Sequence, residues 1–179
     1  MNTDQLIKRC KTNDYKAQML VYNNYKQMMF GVAYRILNHR ESAEDMVHEA
    51  FITGFEKIHQ LENDGYLGGW LKRIVVNKAL DFVKMEKRLN WVDTDLIAAD
   101  KEDLTDEIEP EVSVEIVKKC FSELKEKYRI VLNLYLIENY SHREISDLLG
   151  IKESTIRNQY KRGKEKLIEL IKNHQKDEN

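Results

Sequence analysis

The stretch that decides the fold runs from residue 141 to residue 167 and reads SHREISDLLGIKESTIRNQYKRGKEKL. Ser141 and Glu144 have the spacing of a capping box, in which the hydroxyl and the carboxylate each accept a hydrogen bond from a backbone N–H at a helix start. The apolar residues that follow recur at helical spacing, and Gly150 is placed to take the left-handed conformation that ends a helix. The sequence therefore predicts a short helix between Ser141 and Gly150.

A second, longer helix with one apolar side is predicted to follow the glycine turn. Its apolar stripe consists of Ile156, Tyr160, Gly163, Leu167, Leu170 and Ile171. At about 100° per residue, the opposite face collects polar and cationic side chains. These are Ser154, Arg157, Asn158, Lys161 and Arg162. A short helix, a glycine turn and a longer helix with a cationic, amide-bearing face form the helix-turn-helix pattern.

The chemistry of this face suits duplex DNA. Arginine offers a planar fork to guanine, asparagine pairs with adenine, and serine, lysine and backbone N–H groups at a helix start hold phosphates. The candidate DNA contacts are Ser154, Thr155, Arg157, Asn158, Lys161 and Arg162. An ordinary helical hairpin, whose lysines and arginines form a solvated face, is the alternative that these residues leave open.

The segment before the helix-turn-helix, residues 114–139, is predicted to be the helix on which the two later helices pack. Its apolar positions are Val117, Phe121, Leu124, Ile130, Val131, Leu134 and Tyr135. Together these elements predict a compact helical domain.

Composition extends the helical prediction to nearly the whole chain. Seven glycines and one proline in 179 residues leave few turn signals, so the predicted fold class is all-α. No apolar run approaches the roughly 20 residues that span a bilayer, and the first residues lack the apolar core of a signal peptide, which predicts a cytoplasmic location without membrane insertion. Cys10 and Cys120 lie in no metal-binding or disulfide pattern, so they are expected to be reduced, buried thiols.

Charge is segregated along the chain. Residues 93–111 hold nine acids and one lysine, a local net charge of −8, which leaves +6 for the remainder of a chain whose net charge is −2. The same stretch contains the only proline and lacks an apolar stripe, so it reads as an exposed linker. The predicted organisation is a first domain of residues 1–90, an acidic linker of residues 91–111, and a second domain of residues 112–179.

The first ninety residues form a different helical module. Methionine and aromatic residues at helical spacing are interpreted as its core: Met28, Met29, Phe30, Tyr34, Phe51 and Phe55. Its last helix is rich in cations: Lys72, Arg73, Lys78, Lys84, Lys87 and Arg88. Cations interleaved with Tyr66, Trp70 and Trp91 suit a surface that follows a phosphate backbone and stacks unpaired bases, although core tryptophans are an equally good reading.

One enzymatic function, that of a metal enzyme, has to be considered. Asp45 and His48, and Glu56 and His59, imitate the carboxylate–histidine spacing of metal sites in helical bundles. On one helix these two pairs lie about 16 Å apart, which is too far to share a metal pair. No partner motif occurs on the other helices, so no metal, cofactor or catalytic residue is predicted.

Three stretches in this order resemble one family. ESAEDMVHEAFITGFEKI resembles the helix by which sigma factors grip RNA polymerase, and WLKRIVVNKALDFVKMEKR resembles their promoter-facing helix. The C-terminal stretch from Leu124 to Leu167 resembles their fourth region. The size and the two helical modules are similar to the extracytoplasmic-function (ECF) group. The resemblance implies a non-catalytic initiation subunit of bacterial RNA polymerase that helps open the minus-10 element and reads the minus-35 element.

The resemblance also assigns residues. Positions that match the polymerase-binding helix are Glu44, Asp45, His48, Glu49 and Phe51. Positions implied for the minus-10 element, including a loop at residues 60–68 that captures a flipped base, are Asn63, Asp64, Tyr66, Lys72, Arg73, Asn77, Lys84 and Arg88. The implied partners are core RNA polymerase, promoter DNA and an anti-sigma factor. The acidic linker is similar to one that threads toward the RNA exit channel.

The chain departs from the family pattern at two places. Lys125–Lys127 occupy the place of a usual proline, and Lys152 stands where a serine usually caps the recognition helix. Loss of a cap hydroxyl costs about 1 kcal/mol, unless Ser154 or Thr155 takes the role through a shifted helix start. Two other functions stay open from the residues: a dimeric helix-turn-helix regulator that needs no polymerase, and a helical adaptor for protein interactions.

Overall fold

The computed structural model describes residues 3–61, 66–86 and 112–177, and in these ranges the ordered elements are all helical. The all-α prediction is confirmed. None of the described helices combines the length and the apolar content that crossing a bilayer requires. The chain divides into two compact units, Met1–Arg88 and Leu89–Asn179. The predicted linker lies outside the described residues.

The first unit is built around three long helices. Its elements are α1 (Thr3–Lys11), α2 (Tyr15–Leu37), α3 (Arg40–Glu56), a 3₁₀ turn (Ile58–Gln60) and α4 (Leu67–Glu86). Helices α2, α3 and α4 pack against one another, and α1 packs on α2 and on the 3₁₀ turn. The core between them contains Val21, Met29, Ile36, Ala50, Leu71, Val75 and Leu80.

Polar residues fix where α2 begins and ends. Asp14 accepts hydrogen bonds from the backbone N–H groups of Lys16 and Ala17, at 2.9 and 3.2 Å, and from Arg9. These bonds, above all the one from Arg9, lower the pKa of the Asp14 carboxyl. At the other end Asn38 adopts the left-handed conformation, with a φ of 52°, and turns the chain into α3.

Only part of the methionine and aromatic set lies in the core. Met29 and Phe51 are buried, but Met28 and Tyr34 are 49% and 41% exposed. The interpretation of these two as core residues is therefore wrong. Neighbouring residues on a helix point about 100° apart, so a run such as Met28, Met29 and Phe30 cannot turn every side chain inward.

In the second unit, the described residues 112–177 form four α-helices. Its elements are α5 (Val114–Glu123), α6 (Glu126–Leu132), a π-helical turn (Asn133–Ile137), α7 (His142–Leu149) and α8 (Glu153–Asp177). The single helix predicted over residues 114–139 is wrong, because Leu124 takes an extended conformation with a ψ of 145°. Arg129 holds this break, since its Nη1 donates to the carbonyl oxygen of Leu124 at 3.3 Å.

The core of the second unit joins α5, α6 and α8. Its buried members are Ile116, Cys120, Leu124, Leu132, Leu167 and Ile171. Gly163 lets α8 approach α6, because a Cβ at this position would lie 3.1 Å from Tyr128 Cβ and 3.2 Å from Leu132 Cγ. Both cysteines are free and buried, as predicted, and burial raises the pKa of each thiol.

Candidate nucleic-acid interface

The helix-turn-helix has the caps that the sequence predicted. The backbone N–H of Ser141 donates to the Glu144 carboxylate at 2.8 Å, and the N–H of Glu144 donates to Ser141 Oγ at 3.2 Å, which completes the capping box. Gly150 has a φ of 69°, and its N–H donates to the Ser146 carbonyl at 2.8 Å. Ser146 Oγ also donates to the carbonyl of Ile151. These bonds fix the turn that leads into α8.

Helix α8 begins without a shifted start. Its first residue is Glu153, and the N–H groups of Thr155 and Ile156 donate to the carbonyl of Lys152 at 2.9 and 3.2 Å. Ser154 and Thr155 therefore lie inside the first turn, and neither replaces the missing cap through a shifted start. Their hydroxyls remain free to face a ligand in that turn.

The six candidate DNA contacts lie on one side of α8. Ser154, Arg157 and Asn158 are exposed, while Thr155, Lys161 and Arg162 are partly exposed. At about 100° per residue these positions span an arc of about 160°. The opposite side is buried through Ile156, Gly163, Leu167 and Ile171. The structure thus brings the whole predicted set together on a single face.

Gln159 is a residue that the sequence analysis missed. Although it is polar and lies between two cationic positions, its exposure is 0%. By helical angle Gln159 lies at the edge of the buried arc, next to Ile156 and Gly163. The angle alone could have suggested burial, but amide side chains are usually exposed, so composition argued against it.

Arg157 is held by an acid one turn earlier on the same helix. Its Nε and Nη2 donate to Glu153 Oε1 at 3.2 and 2.6 Å. Both residues line a surface cavity of about 690 Å³ that also borders α7. The other lining residues are Tyr135, Asn139, Tyr140, Ser141, His142, Arg143 and Glu144.

An aromatic cluster joins the start of α7 to α8 beside this cavity. The His142 ring stacks on Tyr135, with centroids 4.3 Å apart, and meets Tyr160 edge-on at 5.2 Å. Burial lowers the pKa of His142, the charge of Arg157 lowers it further, and Glu153 opposes both effects. The neutral imidazole is therefore the favoured form in this cluster.

In the first unit, the candidate nucleic-acid residues that can be placed follow α4. Arg73, Asn77 and Lys84 are exposed and lie within about 40° of one another around the helix, whereas Lys72 is partly buried about 100° away from Arg73. Tyr66, just before the helix, is 68% exposed. The remaining candidates lie outside the described residues: Asn63, Asp64 and Arg88.

The candidate partner face on α3 is acidic. Asp45, His48 and Glu49 are exposed, and Glu44 is partly exposed. His48 shares a 2.9 Å hydrogen bond with the Tyr22 hydroxyl. Lys78 of α4 pairs with Glu49 at 3.4 Å.

Phe51 does not belong to this surface. It is 3% exposed and meets Tyr22 edge-on with centroids 4.9 Å apart. Its place among the partner contacts is therefore corrected to a packing role beneath them, because a buried ring cannot touch a partner. Among the described residues, no group of three histidines, cysteines or carboxylates is gathered as a metal site would require.

Both units match known sequence families. Residues 21–89 match the family described as Sigma-70 region 2, and residues 115–167 match Sigma-70, region 4. The chain is 28% identical over 177 residues to the ECF RNA polymerase sigma factor SigW of Bacillus subtilis, covering 93% of this chain and 95% of that protein. It is 27% identical to the ECF RNA polymerase sigma-E factor of Haemophilus influenzae, covering 94% and 95%.

A solved structure has a similar fold. The sigma factor RpoE of Bartonella quintana, crystallised with the anti-sigma factor NepR, aligns with a TM-score of 0.55 and 19% identity. The alignment covers 86% of this chain and 96% of that one. At this identity the likeness supports the fold alone.

Proposed function

Because the chain belongs to the ECF RNA polymerase sigma factors, which direct promoter-specific transcription initiation, we propose that its two units read two promoter elements. The second unit reads the minus-35 duplex through α8, and the first unit binds the minus-10 element. The observation that carries the proposal is the exposed face of α8 after a capped α7 and a left-handed glycine turn.

The α8 face contains the groups that base reading requires. Arg157 and Asn158 are exposed at the N-terminal end of the helix, which is the end that enters the major groove in helix-turn-helix proteins. Lys161 and Arg162 follow one turn later and supply charge for phosphates. Ser154 and Thr155 place hydroxyls in the first turn, where backbone N–H groups also point outward.

The α4 face suits single-stranded or melting DNA. The exposed stripe of Arg73, Asn77 and Lys84 can follow a phosphate backbone, and Tyr66 presents a ring on which a base can stack. We assign Lys72, Asn63, Asp64 and Arg88 to the same element. Capture of a flipped base costs a few kcal/mol of unstacking, which contacts in this region must offset.

The acidic face of α3 suits a basic partner. Asp45, His48 and Glu49 are exposed there, and Glu44 lies beside them. We propose that this face binds the clamp of core RNA polymerase and that an anti-sigma factor competes for the free protein. The acidic segment of residues 91–111 joins the two units, and the complex works in the cytoplasm without any catalytic activity of this chain.

The test is to mix the purified chain with bacterial core RNA polymerase, measure co-elution, and sequence run-off transcripts made from genomic DNA of its source. Tight association and a small set of shared upstream motifs are expected. The proposal fails if the chain does not associate with polymerase and shifts duplex DNA by itself. That result would favour the dimeric regulator.

A further inference from the structure

The contact between Glu153 and Arg157 is not accounted for by the DNA-reading role of α8. A carboxylate on a DNA-binding face repels phosphates, so direct contact with DNA does not explain why Glu153 lies there. Glu153 accepts both the Nε and the Nη2 hydrogen bonds of Arg157 on one oxygen, Oε1. Glu153 is the first residue of α8, where the positive end of the helix dipole attracts a carboxylate.

The geometry of the contact decides which edge of the guanidinium stays available. With Nε and Nη2 turned toward Glu153, the side edge of the fork is occupied. The end edge, formed by Nη1 and the second N–H of Nη2, points away from the carboxylate. A bidentate contact to guanine O6 and N7 uses two parallel N–H groups, which this end edge provides.

The stability of the chain does not explain the pair. The side chains of Arg157 and Glu153 are 62% and 39% exposed, and exposed pairs one turn apart contribute little to folding. The pair instead holds the long Arg157 side chain in one conformation before binding. Less rotamer entropy is then lost when Arg157 contacts DNA.

We propose that Glu153 is a positioning residue that presents the end edge of Arg157 to a base pair of the DNA duplex and thereby sets the sequence specificity of α8. The inference rests on the proposed function, since it requires that Arg157 reads DNA. Without Glu153, the guanidinium can swing to a phosphate, which keeps affinity but carries no sequence information.

The variants separate positioning from charge. Glu153→Ala removes both the hydrogen-bond acceptor and the charge, whereas Glu153→Gln removes the charge but keeps an oxygen that accepts from Arg157. Glu165→Ala is the matched control, because Glu165 is an exposed carboxylate on the same helix three turns further on. Arg157→Ala tests the proposed function itself.

The measurement uses the full chain bound to core polymerase, the promoter fragment found by run-off sequencing, and fragments with each base pair of its upstream element substituted. The readout is the ratio of affinities for the original and substituted fragments. We expect Glu153→Ala to lower this ratio by about three- to tenfold at one base pair, the one that Arg157→Ala also affects. Glu153→Gln should keep most of the ratio, and Glu165→Ala all of it.

Two results would overturn the inference in distinguishable ways. If Arg157→Ala lowers the ratio but Glu153→Ala behaves like Glu165→Ala, the positioning role fails and the proposed function stands. If Arg157→Ala leaves every ratio unchanged, Arg157 does not read bases, and the assignment of the minus-35 contact falls together with the inference. A third result would also overturn the positioning role: a Glu153→Gln variant as defective as Glu153→Ala would show that only the charge of Glu153 matters.

Discussion

Helices α3 and α8 pack into their units in a similar way but have opposite charge on their exposed sides. Each packs one side into its unit close to a glycine and exposes the other side. The exposed side of α3 presents Asp45 and Glu49, whereas that of α8 presents cations and an asparagine. Since the packing is alike, we propose that the sign of the exposed charge directs the two helices to different partners. The fold places the exposed side of each helix at the surface, and the side chains on that side determine what it can bind.

The largest effect is expected from substitutions on the exposed side of α8. We expect the double substitution Arg157→Ala and Lys161→Ala to weaken binding of the polymerase complex to its promoter by about 10- to 100-fold, because a base contact and a phosphate contact are both lost. Association with polymerase should not change. The measurement is a titration of promoter DNA, and Lys118→Ala, which removes an exposed cation from α5, is the control.

The corresponding change on α3 should have the reverse pattern. Asp45→Lys with Glu49→Lys is expected to weaken association with core polymerase by about tenfold, because like charges replace complementary ones. Analytical co-elution measures the effect, and Glu56→Lys at the end of the same helix is the control. Equal loss of polymerase binding in both variants would contradict the assignment of this face.

The glycines on the buried sides of the two helices, Gly54 of α3 and Gly163 of α8, allow a second comparison. A Cβ at Gly163 would meet Tyr128 Cβ and Leu132 Cγ, atoms close to the backbone, whereas a Cβ at Gly54 would meet the terminal Cδ2 of Leu71 at 3.0 Å. A terminal methyl can rotate away, but a Cβ cannot. After the helix-propensity gain of alanine is subtracted, Gly163→Ala should lower the free energy of unfolding by about 1–2 kcal/mol.

Gly54→Ala should be closer to neutral, because the neighbouring side chain can adjust. Chemical denaturation of each variant, followed by circular dichroism, gives the two values. A larger loss for Gly54→Ala than for Gly163→Ala would show that the near-backbone contacts of α6 yield more easily than the Leu71 side chain.

The cap of α7 is expected to contribute less. Ser141→Ala removes the hydroxyl that accepts from the Glu144 N–H and should cost about 1 kcal/mol of stability. Ser141→Asp is the matched variant, because aspartate also caps helices well. Denaturation midpoints check the prediction, and an alanine variant as stable as the original would show that the Glu144 carboxylate alone holds the cap.

The smallest effect concerns pH. Burial and the charge of Arg157 lower the pKa of His142 in the folded state, so the folded chain holds the neutral ring while the unfolded chain takes up a proton near pH 6.5. The stability that depends on His142 is therefore complete above that pH and is lost as the pH falls through the folded pKa. The ionisable groups that face the ring are Arg157, Glu153, Tyr135 and Tyr160.

An NMR titration of the His142 imidazole tests this prediction, with His142→Asn to assign its signal. The expected midpoint lies below that of an unfolded-chain histidine, and Arg157→Ala should move it upward. A midpoint above the ordinary value would mean that Glu153 dominates the electrostatics of the cluster, and it would reverse the sign of the pH dependence.

Much of the helix-turn-helix could be predicted because its determinants are local. The Ser141–Glu144 box and the left-handed Gly150 depend on residues a few positions apart, and the structure has both. The exposed face of α8 followed from helical angle alone. Two features outside these capping patterns were predicted wrongly: the break at Leu124, whose carbonyl accepts a hydrogen bond from Arg129, and the inward turn of Phe51, whose ring packs on Tyr22 of α2.

The sequence by itself thus determined the helical class, the caps and the side of each helix on which charge collects, because periodicity and capping act within one or two turns. Only the tertiary structure decided where each buried arc ends. Gln159 and Asn133 are fully buried despite their polarity, and Arg129 is 8% exposed, in a unit where α8 packs on α6 and α7. The same holds for Arg157, whose contact with Glu153 is local but whose setting beside His142 depends on how α7 and α8 pack.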